Sequence, residues 1–135
     1  MGAAENKQLI QSIFSELAKG NAKPLVESMD DDFRWIVTGS TKWSKTYEGK
    51  QSVLKELFGG LRTKLGDKIR TVPQRYIAEG DLVVVEARGD NTTKAGLPYN
   101  NRYCFIFRIA EGKLKDVTEY LDTELVTAVF ADDKE

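Results

Sequence analysis

The sequence predicts an α+β domain, with helices gathered in its first half and an antiparallel run of strands in its second. Up to about Leu65, apolar residues recur at three- and four-residue spacing. From Lys68 onward the period changes to β-branched and aromatic runs separated by Gly-containing turns. The 135 residues, 41% hydrophobic and 30% charged, suit one domain with one core, so 1–135 is read as a single unit.

Leu9, Ile10, Ile13, Phe14 and Leu17 share one face ahead of Gly20, which gives an amphipathic first helix. Asn21 stands where a cap belongs, before Ala22, Lys23 and Pro24 and a short second helix ending near Ser28. Residues 33–37 are aromatic and β-branched and read as a strand. Asp30, Asp31 and Asp32 just before it are expected to form a solvated loop, because consecutive carboxylates splay apart and no distant ligand completes a metal site.

Residues 38–48 read as an irregular loop, and its Trp43 and Tyr47 are expected to cover something apolar. A third helix spans about 49–65, turning Val53, Leu54, Leu57, Phe58 and Leu61 inward. Gly59 and Gly60 weaken its middle by about 1 kcal/mol each relative to alanine, and mark a bend or a close approach. Four strands follow, at about 68–79, 82–88, 99–110 and 113–121, the first and last pairs joined by tight turns at Gly80 and Gly112. Such neighbours pair antiparallel. Asp122 or Thr123 caps a terminal helix to about Phe130, and 131–135 is expected to be a frayed tail. Strands that curl around an amphipathic helix leave a cavity at their open end.

Composition narrows the chemistry. With 20 basic and 21 acidic residues, the chain offers no electrostatic reason to expect nucleic acid or an anionic membrane as partner. Its apolar runs are far too short to span a bilayer and its start lacks the apolar stretch of a secretory signal, so the expected location is cytoplasmic. Histidine is absent, which removes Ser-His-Asp and Cys-His nucleophile systems. The one cysteine, Cys104, sits mid-strand as a small hydrophobe and cannot close an internal disulfide. Acid-base work falls to Asp, Glu, Lys, Tyr or water. No metal and no cofactor is expected.

Three stretches carry a family resemblance: Gly96-Leu-Pro-Tyr99-Asn100 through Tyr103, Phe105 to Gly112-Lys113, and Glu119-Tyr120-Leu-Asp122-Thr123. Together they resemble the SnoaL-like branch of the NTF2-like (ketosteroid-isomerase-related) superfamily. The resemblance implies a cone: a curved antiparallel sheet wrapped on three N-terminal helices around an internal pocket. This scaffold hosts isomerases, cyclases, hydrolases, dehydratases and non-enzymatic binders, so fold alone does not fix the reaction. Members are commonly homodimers, and a homodimer is expected here.

Limonene-epoxide-hydrolase-like members provide a finer overlay. It places Glu86 where that family has an arginine, Arg88 where it has an aspartate, and Glu119 where it has a second aspartate. The implied cluster is carboxylate–guanidinium–carboxylate, with Glu119 and Glu86 carrying protons and Arg88 bridging them. The same overlay puts Asn101, Tyr103 and Leu121 on the pocket face. Pattern alone gives another answer for one strand: Val83, Val85 and Ala87 form its apolar face, leaving Glu86 and Arg88 as an exposed pair.

Other branches fit less well. The ketosteroid isomerase base has no counterpart beside residues 35–39, and scytalone-dehydratase-like chemistry needs histidines. A polyketide-cyclase-like late acidic base could be Glu119.

Three functions follow from these readings. One is cofactor-free acid-base catalysis on a small hydrophobic substrate, as an isomerase, cyclase or epoxide hydrolase. A second is non-catalytic ligand binding, with Trp35, Trp43, Tyr47, Leu57, Leu61, Asn101, Tyr103, Phe105 and Leu121 as wall residues. The third is a dimeric interaction module using the outer sheet face, where Arg102, Cys104, Ile106 and Arg108 lie.

Overall fold

Helix α1 (Ala3–Leu17) buries Ile10, Ile13, Phe14 and Leu17 along one stripe, as their spacing predicts. In the computed structural model, which describes residues 2–130, that stripe lies across strands β3 (Thr71–Glu79) and β4 (Leu82–Gly89). Helix α2 (Lys23–Ser28) starts where expected, with Asn21 Oδ1 accepting the Lys23 N–H at 3.1 Å.

Strand β1 (Met29–Val37) is longer than the sequence suggests. It takes in the three aspartates, which the sequence places in a loop. A register irregularity between Met29 and Arg34 accommodates them, Asp31 and Asp32 stay exposed, and Asp30 pairs with Lys115. The loop that follows yields a short strand, β2 (Thr46–Glu48).

The third helix, α3, is continuous but not uniform. Lys50–Ser52 leads into a π-helical segment, Val53–Phe58, and then into Gly59–Leu65. The π segment turns Val53 and Leu57 into the core. Gly60 marks a close approach: a Cβ built there would lie 3.0 Å from the Trp43 ring.

Strands β5 (Arg102–Ala110) and β6 (Lys113–Leu121) complete a six-stranded sheet, in the order β2-β1-β6-β5-β4-β3. The last four are the expected meander. Strand β1 joins it beside β6, and in parallel. Two strands start later than their periodicity predicts, and asparagine side chains bond the backbone at their entrances. Asn91 grips both backbone polar groups of Arg70, and Asn101 Oδ1 accepts the Arg102 N–H at 2.7 Å. Helix α4 (Thr123–Val129) is capped by Asp122, whose Oδ1 accepts the Leu125 N–H at 3.2 Å. The expected tail at 131–135 lies outside the described residues. Among the described residues, no helix is long and apolar enough to cross a membrane.

The pleat separates two chemistries. On the inner face, Val85, Phe105, Glu119 and Val37 form one cross-strand row, and Val83, Phe107, Val117, Trp35 and Tyr47 the next. All nine are buried. The outer face carries Arg75, Glu86, Cys104 and Tyr120 in one row and Ile77, Val84, Ile106, Thr118 and Ile36 in another. Here the expectation for Glu86 and Arg88 is corrected. Alternation along β4 gives the inner face to Val83, Val85 and Ala87, so Glu86 and Arg88 point outward. Glu86 accepts from Arg75 at 2.9 Å, and Arg88 is exposed.

Candidate functional site

Because inner-face residues alternate along every strand, β1, β5 and β6 direct Trp35, Val37, Tyr103, Phe105, Glu119 and Leu121 to one side. Helix α3 faces them with Leu57, Phe58 and Leu61, and the loop after β1 adds Trp43. Between them lies a cavity of about 160 Å³. Its walls are mostly aromatic and aliphatic. That volume suits a molecule of one or two small rings.

Among the described residues Glu119 is the one carboxyl on the inner wall; Asp67, also part of the lining, is exposed. Strand register puts Glu119 opposite Val37 on one side and Phe105 on the other. The parallel β1–β6 pairing also brings Trp35 into reach, and its Nε1–H donates to Glu119 Oε1 at 2.7 Å. Among the described residues no cation pairs with this carboxyl. Burial pushes its pKa up to about 7, with the indole hydrogen bond pulling partly the other way. Near neutrality the group therefore exists in both protonation states, as a proton-transfer group requires.

A second polar group stands on the same wall. Tyr103 stacks on Phe105 with ring centroids 5.1 Å apart, on the same wall as Tyr99. The Tyr99 hydroxyl accepts from Asn101 Nδ2 at 3.0 Å. Burial raises the pKa of both phenols, and the negative charge of Glu119 adds to the rise. Tyr103 and Glu119 lie diagonally across the β5–β6 ladder, within reach of one bound molecule.

The cover is built from the loop after β1. Trp43 packs on Gly60 and on Phe130, the latter with centroids 5.6 Å apart. Its carbonyl accepts the Tyr47 hydroxyl at 2.9 Å. Gly39 opens this loop at φ +100°, and a Cβ there would meet Thr123 Cγ2 at 2.6 Å. Only glycine fits that junction.

Of the residues singled out from sequence, Trp35, Trp43, Leu57, Leu61, Tyr103, Phe105, Glu119 and Leu121 line the cavity together. Four do not. Glu86 and Arg88 lie on the far face of the sheet, so the carboxylate–guanidinium–carboxylate cluster does not assemble. Tyr47 is buried behind Trp43, and Asn101 is buried behind Tyr99, where it also binds the backbone of Arg102 and Asp122. Both hold wall residues in place without lining the cavity. Sequence reasoning missed Tyr99 as a wall residue, although it opens the Tyr99-Asn100 motif. It read Phe58 as an inward position of the third helix and not as a wall residue, and it missed Phe130, which follows helix α4. Among the described residues, no group of three His, Cys, Asp or Glu side chains could hold a metal.

Comparison with known proteins agrees with this architecture. A family model described as a SnoaL-like domain matches residues 10–117. An NTF2-like protein of Burkholderia xenovorans LB400 superposes with a TM-score of 0.73 at 21% identity, over 96% of this chain and 98% of that one. A Jannaschia sp. CCS1 protein, named as a proposed SnoaL-like polyketide cyclase, gives 0.76 at 20% identity over 96% and 94%. TerC, co-crystallised with polyporic acid, gives 0.78 at 21% identity over 94% and 98%. No curated protein matches the sequence. The fold is thus NTF2-like, as the motifs around Tyr99 and Glu119 imply.

Proposed function

The chain belongs to the SnoaL-like domain family, and from that premise we propose that its cavity binds a small, largely apolar molecule on which Glu119 acts as proton carrier. One observation carries this reading: a buried carboxyl with a single hydrogen bond, facing an apolar cavity, with its pKa at about 7. As carboxylate it takes a proton from an acidic C–H of the bound molecule. As carboxylic acid it returns that proton to another atom, which isomerises the molecule or closes a ring. Glu119 itself serves as the base, so the reaction needs no external one. A neighbour named for polyketide cyclisation and another crystallised with polyporic acid support a ring-shaped ligand.

A generic proton-abstraction probe tests the reading. 5-Nitrobenzisoxazole is a small flat ring that opens when a base removes its one acidic C–H, releasing a coloured phenolate. The opening rate should rise with pH to a plateau with its midpoint near 7, and Glu119→Gln should remove the catalysed part. An unchanged rate in that variant would take Glu119 out of the mechanism and leave a binding protein.

A specific observation also favours self-association. The outer face presents Ile77, Val84, Ile106, Thr118 and Ile36 in one row, with Ile77 52% exposed, bordered by alternating charges at Arg108, Asp116, Arg34 and Glu48. Alternating signs complement themselves across a two-fold axis, so we propose a homodimer through this face. Light scattering should give twice the chain mass, and Ile106→Glu the mass of one chain.

A further inference from the structure

We infer that the cavity is built to take a cationic nitrogen, so that its ligand is a small apolar amine whose ammonium group meets Glu119. This rests on the reading of the cavity as a small-molecule site and adds the chemical class of the molecule. Three features of the walls point to it.

The first is an uncompensated acid. Glu119 is 9% exposed, and among the described residues its carboxyl receives only the Trp35 indole N–H. A buried carboxylate is ordinarily paired, because its desolvation is otherwise unrecovered. The one basic residue of the lining, Arg62, is exposed at the mouth, and its Nη2 folds back to within 3.9 Å of a Cβ built on Gly59, one turn earlier on its own helix. In its ionised form Glu119 therefore lacks a paired cation, which a ligand can supply.

The second is the character of the walls. Rings of Trp35, Trp43, Phe58, Tyr99, Tyr103 and Phe105 line the cavity. Aromatic faces attract a desolvated cation through the ring quadrupole, which is how aromatic cages recognise ammonium ligands.

The third is the balance of donors and acceptors. The Trp35 N–H is already spent on Glu119, and Asn101 Nδ2 on Tyr99 and the Asp122 carbonyl. The Tyr103 hydroxyl, which can both donate and accept, and the second Glu119 oxygen, an acceptor when ionised, are left toward the cavity. An ammonium group donates to both. A ligand carboxylate would instead confront a buried acid with no fixed cation between them. The other titratable groups around Glu119 are the phenols of Tyr47, Tyr99 and Tyr103, with Arg62 at the mouth and the exposed Asp67.

The test is calorimetric titration of the whole chain with three probes of equal size: benzylamine, benzyl alcohol and benzoate. At about pH 8, benzylamine should bind about ten-fold or more tightly than benzyl alcohol, with benzoate weakest. Glu119→Gln should bring the amine down to the level of the alcohol. A second measurement needs no variant: benzyltrimethylammonium keeps its charge at every pH, so its affinity should rise from about pH 6 to 8 as Glu119 loses its proton. Equal binding of amine and alcohol, tighter benzoate, or a flat pH profile would overturn the cationic assignment while leaving the cavity a small-molecule site. If none of the probes binds, the cavity reading fails as well.

Discussion

Glu119 and Glu86 are the same residue on neighbouring parts of one sheet, and the pleat gives them opposite fates. Glu86, on the outer face of β4, meets Arg75 in water, an arrangement worth little to stability. Glu119, on the inner face of β6, is enclosed by rings and holds one hydrogen bond. Its carboxyl is pushed to about 7 by the loss of solvent. Residue type therefore does not decide which acid is chemically poised here. The face of the strand does, because it sets whether water remains to stabilise the charge.

The largest test of this contrast is packing itself. Phe107→Ala on the inner face should cost about 3–5 kcal/mol in denaturant unfolding, whereas Arg108→Ala, its outward neighbour, should cost about 1 kcal/mol or less.

Next comes the acid. The folded-state pKa of Glu119 lies above its ordinary value of 4.5, so the native state holds the proton more tightly than the unfolded chain. Stability relative to a neutral residue is thus retained below about pH 5 and falls as pH rises toward and through 7. Glu119→Gln keeps an acceptor for Trp35 and should be the more stable protein at pH 8 by about 3 kcal/mol, with the advantage gone near pH 4. Equal stabilities across that range would mean that the carboxyl is solvated.

Two smaller effects sharpen the picture. Trp35→Phe removes the one donor to Glu119 and should move the midpoint of the ring-opening rate profile to higher pH, since that hydrogen bond favours the charged form. Glu86→Gln should change unfolding free energy by less than about 1 kcal/mol and leave that profile where it is.

Much of the architecture was legible in the chain. The 3.6-residue stripe of α1, the meander from β3 to β6 and the Asp122 cap all follow from local rules, because each depends on neighbours a few residues apart. The outward direction of Glu86 was also readable, since Val83, Val85 and Ala87 claim the core by alternation. The family overlay argued the other way, and alternation prevailed because turning one side chain inward would have exposed its apolar neighbours.

The sequence by itself determined the order of the main helices and strands apart from β2, the core stripes and the absence of histidine chemistry, because composition and short-range periodicity are properties of the chain alone. Tertiary structure decided which acid matters. Only the parallel seating of β1 against β6 brings Trp35 to Glu119 across 84 residues of sequence. Only the π-helical α3, with Gly60 making room for Trp43, closes the cavity that strips water from that carboxyl. Enclosure is a collective property of distant segments, and no local pattern encodes it.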